Sequence, residues 1–133
     1  MKKILFLFFL TLFSCKPEKI LLENNILKME VSTRMGTAPL YVEVTCEISP
    51  SVKDLPCLDE EWYCLPGEGL SLTGDYLSKI IIENDCRNGV KRIFSMDFTL
   101  ESPGKYTIEF ILKEKDGKIF ARVSSYPILV NPL

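Results

Sequence analysis

Residues 40–48 read Leu40-Tyr41-Val42-Glu43-Val44-Thr45-Cys46-Glu47-Ile48, with apolar and polar side chains alternating along the whole stretch. A period of two belongs to an extended strand, whose successive side chains point to opposite faces, and not to the 3.6-residue repeat of an amphipathic helix. Leu40, Val42, Val44, Cys46 and Ile48 share one face; Tyr41, Glu43, Thr45 and Glu47 share the other. The same alternation returns downstream. Phe94, Met96, Phe98 and Leu100 oppose Ser95, Asp97 and Thr99, and Tyr106, Ile108, Phe110 and Leu112 oppose Lys105, Thr107, Glu109 and Lys113. Turn residues separate the runs. In Ser102-Pro103-Gly104, proline fixes φ and glycine supplies a left-handed residue, while Asp116-Gly117 is a hairpin signal because both positions tolerate positive φ. No stretch keeps apolar residues at i, i+3, i+4 and i+7 over three turns. About seven short strands within residues 26–133 predict an all-β, two-sheet β-sandwich.

The whole chain has 133 residues, which suits one domain. It carries 16 Lys+Arg against 18 Asp+Glu, a net charge of −2, and no histidine. Nucleic acid is not an expected partner, since its binders concentrate basic residues on one face. Without histidine there is no Ser-His or Cys-His catalysis and no histidine metal ligation. The chain is therefore expected not to be an enzyme, and no cofactor or metal is expected.

The first residues differ from the rest. Lys2 and Lys3 precede the apolar run of residues 4–13, and Ser14 stands before Cys15. About ten apolar residues are too few for a spanning helix, which needs about 20, and suit the core of a secretory signal. The segment resembles bacterial lipoprotein signal peptides: Leu12-Phe13-Ser14-Cys15 matches their lipobox at three of four positions. The resemblance implies cleavage after residue 14 and acylation of Cys15. It also implies attachment to a membrane of the bacterial cell envelope, expected to be the outer membrane at its periplasmic or surface face. Residues 1–14 are then the signal, 15–25 a lipidated N-terminus and polar tether, and 26–133 the domain. Loss of Lys2 and Lys3 leaves 14 basic and 18 acidic side chains, a net of −4. Such a surface does not seek anionic headgroups, so the acyl chains make the membrane contact.

The domain resembles PKD-type immunoglobulin-like domains. These open with a G-x-x-P-L-x-V-x-V strand, matched by Gly36-Thr37-Ala38-Pro39-Leu40-Tyr41-Val42-Glu43-Val44. A Trp-bearing strand ending in a glycine-rich turn follows, matched by Trp62-Tyr63-Cys64-Leu65-Pro66-Gly67-Glu68-Gly69. They close with an aromatic, a P-G-x-Y-x-V strand and a D-G hairpin, matched by Phe98, Pro103-Gly104-Lys105-Tyr106-Thr107-Ile108 and Asp116-Gly117-Lys118. The glycine-rich turn is longer than usual and carries Glu68 in place of its Asp. The resemblance implies an immunoglobulin-like sandwich used as a spacer or as a protein- or carbohydrate-interaction module. Trp62, Tyr106, Pro39 and Gly104 are the fold-defining candidates, with Trp62 central in the core and Tyr106 able to return its hydroxyl to backbone as a tyrosine corner.

With Cys15 acylated, Cys46, Cys57, Cys64 and Cys86 remain, an even number that predicts two disulfides in an exported domain. Cys46 shares the apolar face of its run and Cys64 shares the face of Trp62, whereas Cys57 and Cys86 fall in polar loops. This favours Cys46 with Cys64 and Cys57 with Cys86; Cys57 with Cys64 and Cys46 with Cys86 is the alternative.

Other chemistry is sparse. Asp59-Glu60-Glu61 offers hard oxygen ligands but lacks the alternating spacing of a calcium loop, and is expected to be a solvated loop. Glu43 and Glu47 lie on one outward face without a facing acid. Ser71, Ser78 and Ser95 have no base, and Lys91-Arg92 is a short basic pair. Ile111, Phe120 and Tyr126 fall on the outward phase of the last strands, as a partner patch or as an edge covered by the chain terminus. The expected function is a lipid-anchored binding or structural module for a protein or glycan of the envelope; the alternative is an accessory subunit or inhibitor of an envelope hydrolase.

Overall fold

The computed structural model describes residues 20–23, 25–67 and 76–133. They form ten strands: β1 (Ile20–Glu23), β2 (Leu27–Val31), β3 (Met35–Thr37), β4 (Leu40–Ile48), β5 (Leu58–Pro66), β6 (Ser78–Ile82), β7 (Ile93–Leu100), β8 (Gly104–Glu114), β9 (Ile119–Ser124) and β10 (Ile128–Asn131). One sheet has the order β1-β2-β4-β7; the other runs β3-β10-β8-β5-β6, with β9 also paired to β8. Among the described residues there is no helix. The expected all-β sandwich is the observed fold.

The connectivity is immunoglobulin-like. The chain leaves the first sheet after β2, and β3 joins the second sheet parallel to β10, with Leu129 opposite Met35. Each crossing is held by backbone bonds: Ser32 N–H donates to Glu43 O at 2.9 Å, and Ala38 N–H to Asn131 O at 2.8 Å. Pro39, at the start of β4, follows a cis peptide bond from Ala38. β4 returns to the first sheet, β5 and β6 lie in the second, β7 closes the first sheet on β4, and β8 to β10 complete the second.

The alternating runs do what their period requires. Val42, Val44, Cys46 and Ile48 of β4 are buried, as are Phe94, Phe98 and Leu100 of β7 and Ile108, Phe110 and Leu112 of β8. Trp62 is fully buried on β5, its ring 4.1 Å from Phe110 and 6.4 Å from Phe98; Phe94 and Phe110 are 5.3 Å apart. Burying an aromatic of this kind contributes on the order of 3 kcal/mol, so the four rings form the energetic centre of the sandwich. At the corner entering β8, Tyr106 donates its hydroxyl to Ser102 O at 2.6 Å, the geometry of a tyrosine corner. The β8–β9 hairpin closes at Gly117, whose φ of 93° excludes most side chains, and Asp116 Oδ1 accepts from Lys118 N–H at 2.9 Å.

Three expectations are corrected here. The strands number ten among the described residues, not about seven: β1, the three-residue β3, and the split of the last strand into β9 and β10 account for the difference. Part of the expected tether is sheet, because Ile20–Glu23 pairs antiparallel with β2, Ile20 opposite Val31. The run Asp59-Glu60-Glu61 is not a solvated loop but the first half of β5, and its middle carboxylate is 1% exposed.

Candidate functional site

β5 is the hub of the second sheet, flanked by β6 and β8, and both of its faces are covered: Glu60, Glu61, Trp62, Tyr63, Cys64 and Leu65 are all buried. Because successive residues alternate, its three acids cannot converge on one point. Each finds its own lysine. Asp59 Oδ1 lies 2.5 Å from Lys115 Nζ, Glu60 Oε2 3.0 Å from Lys91 Nζ, and Glu61 Oε2 2.9 Å from Lys113 Nζ. Among the described residues no group of three or more Cys, Asp or Glu is arranged to hold a metal ion.

Glu60 is the centre of the inner network. Its Oε1 accepts from Trp62 Nε1 at 3.0 Å, and its Oε2 accepts from Asn84 Nδ2 and Lys91 Nζ, each at 3.0 Å. Asn84 also gives its Nδ2 to Leu58 O at 2.9 Å and its backbone N–H to Asp59 Oδ1 at 3.0 Å, tying the end of β6 to the start of β5. A buried carboxylate survives only when its lone pairs are satisfied, and this one is met by an indole, an amide and an ammonium. Arg92, next to Lys91, donates to Ser49 O at 3.2 Å and Val52 O at 2.6 Å, which fastens the loop after β4. The short basic pair is thus two structural anchors.

On the outer face, Tyr63 donates its hydroxyl to Glu61 Oε1 at 2.6 Å; burial first, and then the Glu61 carboxylate, push its pKa up. Burial alone would raise Glu61 and Asp59. In Glu61 the bonds from Tyr63 and Lys113, and in Asp59 those from Lys115 and the Asn84 backbone, outweigh it and hold both carboxyls below their ordinary values. Glu109, fully buried on β8, takes Arg122 Nη2 at 3.2 Å and Ser124 Oγ at 3.4 Å on Oε2, while Oε1 has no hydrogen-bond partner among the described residues. Tyr63, Leu65 and Ile111 form a small second apolar cluster beside it.

Cys57 and Cys86 are joined, with Cα atoms 5.8 Å apart, one bond of the favoured pairing. The other is corrected: Cys46 and Cys64 are free, buried thiols. The strands run so that the Glu60 carboxylate acts on Cys46, whereas Cys64 lies four residues beyond Glu60, about 13 Å along β5. Trp62 stands between Glu60 and Cys64 on β5, and a disulfide needs Cα atoms within about 7 Å. Burial pushes the Cys64 thiol up to about 11; burial and then Glu60 push Cys46 up as well.

The expected patch of Ile111, Phe120 and Tyr126 does not exist as a unit. Ile111 is 4% exposed on the outer face of the second sheet, Phe120 packs against the main core beside a register shift in the β8–β9 pairing, and Tyr126 alone is exposed. Along β6 and just before it, Tyr76, Leu77 and Ile81 are exposed, and Lys79 Nζ lies 5.5 Å from the Tyr63 ring and 5.9 Å from that of Tyr76. β6 carries no strong alternation, and the run Lys79-Ile80-Ile81-Ile82 was its only sequence signal. Glu43 is exposed, Glu47 lies 4.0 Å from Lys28, and Ser78 and Ser95 are exposed. Cys15, the signal of residues 1–14, Glu68 and Ser71 lie outside the described residues. No protein-family model matches the chain, and no curated protein matches it.

Proposed function

We propose that this chain is a lipid-anchored protein of the bacterial envelope whose immunoglobulin-like domain, of the PKD type, serves as a binding or structural module for a protein or glycan partner. The observation that carries the reading is the Cys57–Cys86 disulfide between the loops flanking β5 and β6. Such bonds form and persist in oxidising compartments, which is where a secretory signal of residues 1–14 would deliver the chain. The reading is supported by where the quoted segments lie in the sandwich: residues 36–44 span β3 and the start of β4, Trp62 is on β5, Pro103-Gly104-Lys105-Tyr106 opens β8, and Asp116-Gly117 turns the β8–β9 hairpin.

Anchoring at Cys15 holds the domain close to the bilayer. β1 begins at Ile20, and five extended residue steps reach at most about 18 Å. A module so placed meets partners at the membrane surface. Two or three acyl chains make the attachment stable, where one would be marginal. The test is palmitate labelling and fractionation of the native chain beside Cys15→Ala. The native chain is expected to be labelled and membrane-bound, and the variant unlabelled and released. Equal membrane retention of the variant, or a native chain without label, would overturn the reading.

A further inference from the structure

β6 is the outermost strand of its sheet and pairs with β5 and with no second strand among the described residues. A free edge is a row of unpaired N–H and C=O groups, and proteins usually blunt it with proline, a bulge or several charges. β6 has no proline and no register shift in its pairing with β5, and Lys79 is its one charge. Ile81 is 56% exposed on the outer side, and Leu77, four residues before it, is 60% exposed. The strand is also held in a defined position, since Cys86 just beyond it is bonded to Cys57 at the start of β5.

The sequence along this edge is complementary to itself. Laid antiparallel on a second copy with Ile81 opposite Ile81, the run Lys79-Ile80-Ile81-Ile82-Glu83 sets Lys79 against Glu83 twice and Ile80 against Ile82 twice. Register with β5 puts Lys79 and Ile81 on the outer face, opposite Tyr63 and Glu61, and Ile80 and Ile82 on the core face, opposite Trp62 and Glu60. Every cross-strand pair is then apolar with apolar or cation with anion. Shifting by two residues in either direction places Ile81 against Lys79 or against Glu83 and loses the match. Directly opposite charges stabilise an antiparallel pair and like charges oppose it. Pairing at Ile81 places a two-fold axis perpendicular to the sheet, so two sandwiches lie side by side with one continuous sheet, an isologous arrangement. We propose that β6 is a dimerisation edge and that its partner is β6 of a second copy, in the Ile81-to-Ile81 register.

The proposal is tested on the full chain in detergent solution by cross-linking and charge exchange. Ile81→Cys places thiols across the axis, and mild oxidation is expected to give a disulfide-linked species of twice the chain mass. Tyr126→Cys, exposed elsewhere, is expected to remain single; Cys46 and Cys64 are buried. In the Ile81→Cys background, Glu83→Lys or Lys79→Glu each replaces two attractive pairs by two repulsive ones and is expected to reduce cross-linking about tenfold. Lys79→Glu together with Glu83→Lys restores both pairs and is expected to restore the dimer. Trp62 fluorescence reports that each variant is folded. Absence of the Ile81→Cys species, equal cross-linking of either single charge variant, or failure of the folded double variant to recover would overturn the proposal.

Discussion

Glu60→Gln isolates what the buried carboxylate contributes. The substitution keeps shape and volume at a site that is 1% exposed, so no cavity term enters. The carboxylate accepts three hydrogen bonds, from Trp62 Nε1, Asn84 Nδ2 and Lys91 Nζ. A glutamine has one acceptor oxygen and one NH2. With the oxygen kept toward Trp62, its NH2 meets two other donors; with the oxygen turned to Asn84 and Lys91, the NH2 meets the indole N–H. Either way at least one donor pair is opposed, and the charge-assisted bond to Lys91 is weakened. A lost charged hydrogen bond costs about 1.5–3 kcal/mol and a donor left unsatisfied about 1–3 kcal/mol. Lys91 is half exposed and recovers part of its share by turning to water, so the net expectation is about 2–4 kcal/mol. For a domain of this size that is a fall in Tm of roughly 8–20 °C. Urea denaturation followed by the emission of Trp62, the chain's one tryptophan, reads the same quantity and the local environment together. A loss below about 0.5 kcal/mol, with unchanged emission, would refute the claim that this network stabilises the β5–β6 corner.

The remaining expectations follow from the thiols and the paired carboxyls of β5. Under native, non-reducing conditions a thiol reagent should find Cys46 and Cys64 unreactive, and unfolding should release both; a Cys46-to-Cys64 bond would show as their absence after unfolding. Replacing Cys57 and Cys86 together by alanine removes a cross-link of sequence separation 29 and should cost about 3–4 kcal/mol by chain entropy, measured by the same urea titration. Asp59 and Glu61 have folded pKa values below their ordinary 3.8 and 4.5, so their contribution is complete above about pH 4.5 and disappears as the pH falls through the lower folded values. Tm measured down the acid range should therefore fall less steeply in Glu61→Gln than in the native chain; parallel curves would assign the acid sensitivity elsewhere.

A strand is legible in the sequence when it has one wet face. β4 and β7 do, and Tyr41, Glu43, Ser95 and Asp97 mark it, so the period of two is plain. β5 has none: its second face is covered too, the alternation vanishes, and Asp59-Glu60-Glu61 looks like a loop when it is a buried strand whose charges are cancelled by lysines 31 to 56 residues away. No local pattern announces partners at that distance. The cysteines show the same limit. Loop composition pointed to Cys57 and Cys86, but the level of Cys46 relative to Cys64 is set by how two sheets stagger, and period-two reasoning gives the face and not the height. β1 escaped notice because pairing with β2, and not its own composition, makes Ile20–Glu23 a strand. At the candidate surface, the exposure of Ile81 follows from the edge position of β6, which composition does not mark.

The anchoring claim is tested most directly by the intact mass of the chain extracted from the envelope. A lipid-anchored chain begins at Cys15 and carries the added mass of a diacylglycerol thioether, with the Cys57–Cys86 bond intact. An unmodified Cys15, or a chain still bearing residues 1–14, would contradict it.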